Sequence, residues 1–240
     1  MRRFIVLFMG MALAVVSAFA VPCATGTYAS YQALGSGGCT VGDATFSNFG
    51  AFGFTNSVGV PTIGTGNLLV TPGGTALDPT LTFTYVVGST PTPVTVNQSG
   101  QIFSFDFVYM VTFTGATLAN IQMDTTEVNT NGGGVAATKN AQQISGGTVF
   151  TSQASDGGVD HSIPTLITGA NTSTSGAGPW NIQDTVSLQA QNGTATQDNF
   201  ENLYTLQAST GTPETDTVLL MGSGLLCIGL VRLRRPSRKS

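Results

Sequence analysis

The residue types best suited to catalysis are sparse in this sequence. The chain has one histidine, His161, directly after Asp160. A Ser-His-Asp triad also needs a serine on a sharp turn, and no Gly-x-Ser-x-Gly elbow occurs. A histidine beside an aspartate is more typical of a solvated loop. The sequence therefore assigns no catalytic residue, and we expect a protein that is not an enzyme.

The acidic residues suggest one metal-binding alternative. Asp156-Gly-Gly-Val-Asp160 places two carboxylates around glycines, as calcium loops do. The stretch is shorter than a full calcium motif, so an acidic turn is the simpler interpretation. Zinc needs clustered His or Cys, and with a single histidine we exclude a zinc site. We assign no metal and no cofactor from the sequence, and calcium binding stays open.

Carbohydrate chemistry is the second alternative. A glycoside hydrolase needs two carboxyl groups facing each other across a cleft. The tightest acid pairs in the sequence are Asp124/Glu127 and Asp198/Glu201. We interpret both pairs as solvated acids in turns or at strand ends. Trp180, the only tryptophan, follows the loop Gly176-Ala-Gly-Pro179 and is either a core residue or a ligand contact for a sugar. The alternatives are a secreted carbohydrate-binding module or a carbohydrate-active enzyme.

The charge distribution excludes one class of partner. Only 8% of the residues are charged, against about 25% in an ordinary soluble domain. Between positions 21 and 211 the sequence has one base, Lys139, against ten acids. Such a body would repel a phosphate backbone, so we expect no nucleic-acid partner.

Strand patterns recur through the middle of the chain. The strongest runs from 101 to 113, where Phe103, Phe105 and Phe107 fall on one face, and 81–87 alternates in the same way. Weaker candidate strands are Ala44–Phe54, Asn67–Thr71, Gly147–Thr151, Ile182–Ala190 and Leu203–Ala208. About seven short strands separated by turn residues predict one all-β domain over residues 21–209, an Ig-like or jelly-roll-like β-sandwich. A short helical turn is compatible with residues 24–34.

The two ends of the sequence have the features of export signals. Arg2 and Arg3 precede a short apolar run that ends at Ala18-Phe-Ala20. This pattern predicts a secretory signal peptide over residues 1–20. Cys23 and Cys39 are then the only cysteines of the exported body. In an oxidising compartment they are most simply a disulfide, the alternative being a catalytic thiol with His161.

The C-terminal segment, residues 210–240, has three parts in order. The first contains Pro213, Glu214 and Thr215, the second is the apolar run 218–231, and the third is basic, with Arg232, Arg234 and Arg235. The 15 residues from Thr217 to Val231 make about 22 Å of helix, which is short for the ~30 Å hydrocarbon core. Flanking arginines can reach past the apolar boundary. We interpret the run as a short transmembrane helix that holds the chain temporarily, with the arginines as a membrane stop.

This arrangement resembles the PEP-CTERM sorting signal of exported bacterial proteins. Pro213 and Glu214 correspond to the first two motif positions, whereas Thr215 stands where the motif has a second proline. The stretch from Tyr31 to Phe49 is similar to the opening of many PEP-CTERM proteins. The resemblance implies processing by exosortase, a membrane protease, and transient anchoring in the inner membrane. It also implies a structural, exopolysaccharide-associated protein that is secreted or held in the cell envelope or extracellular matrix.

Overall fold

The computed structural model describes residues 20–144, 146–176 and 178–209. Residues 1–19 and 210–240 lie outside this range, and so do most of the predicted signal peptide and the whole predicted sorting signal. The residues concerned are Pro213, Glu214 and Thr215 of the motif and Arg232, Arg234 and Arg235 of the membrane stop. In the part of the chain that is described, no helix is both long and apolar enough to cross a membrane.

The described chain is almost entirely β-strand, which confirms the all-β prediction. Its helical elements are α1 (Tyr28–Gln32), within the predicted turn, and a 3₁₀ turn at Thr65–Asn67. The strands are, in chain order, β1 (Val21–Pro22), β2 (Gly26–Thr27), β3 (Cys39–Val41), β4 (Ala44–Ser47), β5 (Phe52–Asn56), β6 (Leu68–Gly74), β7 (Pro79–Val87), β8 (Thr90–Pro91), β9 (Val94–Val96), β10 (Ile102–Phe113), β11 (Ala116–Thr130), β12 (Gly134–Gln143), β13 (Phe150–Ser155), β14 (His161–Ile167), β15 (Thr172–Gly176), β16 (Trp180–Gln189) and β17 (Thr194–Ala208).

These strands form two sheets. The first has eight described strands in the order β1-β3-β4-β10-β16-β12-β13, with β5 also paired to β10. The second has nine in the order β14-β11-β17-β7-β6-β2, with β15 on β11, β9 on β17 and β8 on β7. The long strands β10, β12 and β16 pair antiparallel over about their whole length. Two layers of mostly antiparallel strands are the architecture of a β-sandwich.

Aromatic side chains fill the space between the sheets. The predicted alternation of β10 is confirmed, because Phe103, Phe105 and Phe107 are buried while Ile102 and Asp106 are exposed. The rings of β10 meet rings from the second sheet, as the Phe107–Phe83 centroid distance of 5.0 Å shows. Burial of large aromatics from both layers supplies most of the apolar area that holds such a fold together.

The N-terminal segment is fastened to the sandwich covalently. Cys23 and Cys39 form a disulfide with Cα atoms 4.8 Å apart, as predicted. The closed loop contains α1, in which Thr27 caps the N-terminus by accepting a hydrogen bond from the Ser30 backbone. Tyr28 of α1 is buried, and its hydroxyl donates to the Gly50 carbonyl at 3.1 Å. The bridge and the helix contribute Cys39, Tyr28 and Tyr31 to the buried core.

Candidate functional site

The structure places Trp180 in the core. The residue begins β16, its side chain is fully buried, and its ring lies 5.9 Å from that of Phe150. Because no face of the ring reaches solvent, Trp180 is positioned for packing and not for stacking on a sugar.

The acid pairs singled out in the sequence lie on strands and not in turns. Asp124 and Glu127 belong to β11, and three residues along a strand project to opposite faces. The Asp124 carboxylate accepts hydrogen bonds from the Gly169 backbone at 2.9 Å and from the Gln122 amide at 2.8 Å. Asp198 and Glu201 are half-buried residues of β17. The Asp124/Glu127 pair therefore does not face across a cleft as a hydrolase pair would.

The two aspartates of the predicted acidic turn have different surroundings. The turn joins β13 to β14, and Asp160 is exposed and accepts a hydrogen bond from the Gly132 backbone at 3.0 Å. Asp156 is turned inwards, with 9% of its surface exposed. Its Oδ1 accepts from the backbone of Gly158 at 2.9 Å and of Val135 at 3.4 Å. Asp156 thus belongs to a different cluster from the one that the sequence suggested.

That cluster, which we call the carboxylate–imidazole cluster, consists of Glu127, Asn129, Asp156 and His161. Glu127 and Asn129 are two apart on β11, so both face the interior, and His161 on β14 is the cross-strand partner of Asn129. One ligand atom from each of Glu127, Asp156 and His161 lies within 4.8 Å of the other two. The Asn129 amide donates to Glu127 Oε1 at 3.1 Å and to Asp156 Oδ2.

Proximity and burial change the acidity of this cluster. Glu127 is fully buried. Burial and the nearby Asp156 carboxylate raise the pKa of Glu127 to about 8, while the hydrogen bond from Asn129 acts in the opposite direction. Near neutral pH the cluster therefore holds a proton on Glu127. Strongly perturbed buried acids of this kind are more frequent at functional sites than elsewhere.

A cleft of about 350 Å³ adjoins the cluster on the outer face of the first sheet. Ser155, Ala136 and Ser187 lie side by side in register across β13, β12 and β16 and form its floor. Gln189 and Gln191 supply amide groups, and Asp156 is shared with the cluster. Four glycines leave the backbone of the rim accessible, namely Gly132, Gly134, Gly157 and Gly158.

A second polar cluster lies deep between the sheets. Lys139 of β12 is fully buried, and its ammonium group donates to the Gln122 and Leu203 carbonyls at 3.0 and 3.3 Å. The same nitrogen lies 3.9 Å from the centroid of the Tyr204 ring. Asn202 donates to Tyr109 at 2.7 Å and also to Asp184. Because Lys139 is the only Lys or Arg between positions 21 and 211, the described surface carries no lysine or arginine side chain.

Comparison with known proteins assigns no family. No family model matches the chain, and no curated protein sequence matches it at a significant level.

Several solved structures are similar at a low level. The chain is similar to the structure of TmCBM61 in complex with β-1,4-galactotriose, with 14% identity, a TM-score of 0.30, and coverage of 58% of this chain and 87% of that chain. A structure of carbohydrate-binding modules from the β-sandwich superfamily gives 11% identity and a TM-score of 0.24. The match covers 69% of this chain and 86% of that chain. The enzymatically active domain of bacteriophage CBA120 tailspike protein 4 is similar with 12% identity and a TM-score of 0.25. The match covers 64% of this chain and 19% of that chain. Similarities at this level do not assign a function.

The sequence did not reveal that Glu127 and Asn129 join Asp156 and His161 in one cluster, because both lie some thirty residues before Asp156. A signal is nevertheless present. Alternate positions of β11 change from apolar, at Ile121 and Met123, to polar, at Thr125, Glu127 and Asn129. A strand whose buried face becomes polar towards one end must satisfy those groups with buried partners.

Proposed function

We propose that the protein is an exported bacterial surface or extracellular-matrix protein, structural in role, without enzymatic activity, and associated with exopolysaccharide. The observation that carries export is the Cys23–Cys39 disulfide, whose Cys39 side is buried in the core. Disulfides form and persist in oxidising compartments and are rare in the cytosol. The bridge begins three residues after the predicted cleavage position at Ala20.

The proposal includes a sorting step. An exosortase-like membrane protease recognises Pro213 and Glu214, after the apolar run 218–231 has held the chain in the inner membrane. Arg232, Arg234 and Arg235 keep the tail on the cytoplasmic side. Support for this step comes from the order of motif, apolar run and basic tail in the sequence. The mature protein is then released to the envelope or the matrix.

The cleft beside Asp156 is the proposed glycan contact. Hydroxyl and amide groups both donate and accept hydrogen bonds, and Ser155, Ser187, Gln189 and Gln191 present four such groups in one concave surface. The described surface has acids but no Lys or Arg, so it offers an acidic polysaccharide no ion pair. A neutral glycan is therefore the class that fits best.

Affinity electrophoresis of the exported protein tests this contact. The gels would contain exopolysaccharide from the producing bacterium or, in parallel, neutral galactan, xylan or dextran. We expect Gln189→Ala and Gln191→Ala to abolish retardation. Gln183→Ala is the matched control, since Gln183 is an exposed glutamine on the same face of β16 outside the cleft. Equal retardation of all three variants would rule the cleft out as the contact.

A further inference from the structure

We propose that Glu127, Asn129, Asp156 and His161 bind one divalent transition-metal ion. The four residues come from β11, from the turn after β13 and from the start of β14. The proposal goes beyond the glycan contact and does not depend on it, because the ligands other than Asp156 lie outside the lining of the cleft.

The ligand atoms are close to the spacing that one ion requires. Bonds from a transition metal to carboxylate oxygen or imidazole nitrogen are about 2.0–2.2 Å, so two ligands of one ion lie at most about 4.4 Å apart. The atoms of Glu127, Asp156 and His161 lie within 4.8 Å of one another without an ion. The widest pair must close by roughly half an ångström if its atoms take trans positions, or by about 1.4 Å in a tetrahedral site, where ligand atoms lie about 3.4 Å apart. Side-chain rotation can supply either movement.

Unpartnered polar atoms point to a ligand that protein groups do not replace. Glu127 Oε2, Asn129 Oδ1 and His161 Nε2 are all buried and have no hydrogen-bond partner among the described residues. Glu127 and Asn129 are fully buried, so neither oxygen is hydrated by bulk solvent. Most buried polar atoms in proteins are paired. Three unpaired atoms in one four-residue cluster are explained together if they coordinate the same cation.

Asn129 is placed to complete the set of ligands. Its amide nitrogen donates to both carboxylates, so the amide borders the space between them where a cation would bind. Rotation of the amide by half a turn exchanges Nδ2 and Oδ1. The unpaired Oδ1 then becomes a fourth ligand, and the two carboxylates turn from accepting hydrogen bonds to binding metal.

Asp156 is oriented before any ion binds. The backbone N–H groups of Gly158 and Val135 hold its Oδ1, which leaves Oδ2 directed at Asn129. Hydrogen bonds to the outer oxygen of a ligating carboxylate are a usual feature of metal sites, because they fix the orientation of the inner one. The turn Asp156–Asp160 thus contributes one ligand and one backbone support, from Gly158, and β12 contributes the other, from Val135.

The chemistry of the ligands selects the metal. Ca²⁺ and Mg²⁺ prefer all-oxygen surroundings, whereas imidazole suits Zn²⁺ and its neighbours in the first transition series. Two carboxylates, one amide oxygen and one imidazole therefore favour Zn²⁺ or Mn²⁺ over Ca²⁺. The sequence argument against zinc rested on the lack of a second His or Cys, and in the structure the carboxylates and the amide take those places.

Isothermal titration calorimetry on the chelator-treated, exported full chain tests the proposal, with ZnCl₂, MnCl₂ and CaCl₂ as probes. We expect one equivalent of Zn²⁺ or Mn²⁺ per chain, and a thermal midpoint that rises with metal concentration by mass action. Glu127→Gln and His161→Ala should weaken binding by roughly 100-fold or more, since loss of an outer partner alone costs about 10–100-fold. Asp106→Asn, at an exposed acid on the outer face of β10, is the charge-matched control.

Correct folding of each variant is checked by circular dichroism and by a cooperative unfolding transition. Glu127→Gln is the informative variant, because a neutral amide resembles the protonated acid and should leave the fold intact. Stoichiometric binding lost in Glu127→Gln and His161→Ala but kept in Asp106→Asn supports the site. Binding that is absent, or equal in all three variants, overturns it. Tight Ca²⁺ binding that His161→Ala leaves unchanged also overturns the assignment to a transition metal.

Discussion

Lys139 on β12 and Asp184 on β16 are direct cross-strand partners, and both side chains are fully buried between the sheets. Burial lowers the pKa of Lys139 and raises the pKa of Asp184, and the charge of each partner opposes the shift of the other. No carboxylate of the described residues lies within ion-pair distance of Lys139, whose nitrogen is held by backbone carbonyls and the Tyr204 ring. The only Lys or Arg between positions 21 and 211 is therefore a core residue.

The first prediction concerns the coupling between these two residues. Asp184→Asn should lower the free energy of unfolding by roughly 3 kcal/mol, because it leaves the buried ammonium group without its compensating charge. Lys139→Met in the same chain should restore much of the loss. Denaturant titration of the two single variants and the double variant gives the coupling energy. Effects that add to within about 0.5 kcal/mol would show that the two sites are independent.

The second prediction is a pH dependence caused by Glu127, whose pKa is about 8 in the folded protein and 4.5 ordinarily. Between these values the unfolded chain releases a proton that the folded chain retains. The free energy of unfolding therefore falls as pH rises, by at most about 1.4 kcal/mol per pH unit. Glu127→Gln has no such proton to lose.

Chemical unfolding of both proteins in chelator, from pH 6 to pH 8, measures this effect. The Asp184 contribution is common to the two proteins and cancels in their difference. We expect the wild type to lose stability relative to Glu127→Gln as pH increases. Parallel curves would mean that Glu127 is ionised throughout this range.

The third prediction concerns the disulfide. Replacing Cys23 and Cys39 by serine opens a loop with a sequence separation of 16. Loss of this crosslink should lower the free energy of unfolding by about 3 kcal/mol, chiefly because the unfolded chain gains entropy. The wild-type protein unfolded with and without reductant provides the control. Equal free energies of unfolding with and without reductant would show that the Cys23–Cys39 crosslink does not stabilise the folded protein.

The fourth prediction concerns Trp180. A fully buried indole should emit at short wavelength and resist quenching by acrylamide, and saturating neutral glycans should leave its emission unchanged. Trp180→Ala should cost roughly 3–5 kcal/mol of stability, because it leaves a cavity beside Phe150. Glycan-dependent quenching of Trp180 in the folded protein would contradict this placement.

The strands predicted most strongly are those with a wholly apolar buried face. β10 and β7 present phenylalanine, tyrosine, leucine and valine at alternate positions, so their period of two is visible in the sequence. β11 and β12 escaped prediction although they are 15 and 10 residues long. Their buried faces include Thr125, Glu127, Asn129 and Lys139, and polar residues at core positions remove the hydrophobic period on which the prediction depends.

The same residues explain why the candidate site was only partly visible. Asp156 was noticed with Asp160 as an acidic, glycine-rich turn, and His161 was noticed as the only histidine. Glu127 and Asn129 join them through the pairing of β11 with β14, a register that no local pattern reveals. The disulfide was predictable because Cys23 and Cys39 are the only cysteines of the predicted exported body, and the predicted signal peptide indicates an oxidising compartment.

Mass spectrometry of the mature chain, purified from fractionated native cells, tests the central proposal most directly. We expect an N-terminus at Val21, an intact Cys23–Cys39 bridge, and a C-terminus near 212–215 in the envelope or matrix fraction. A chain that runs to Ser240 and stays in the inner membrane would contradict processing at Pro213 and Glu214. A chain that retains Met1 with reduced cysteines in the cytosol would contradict export itself.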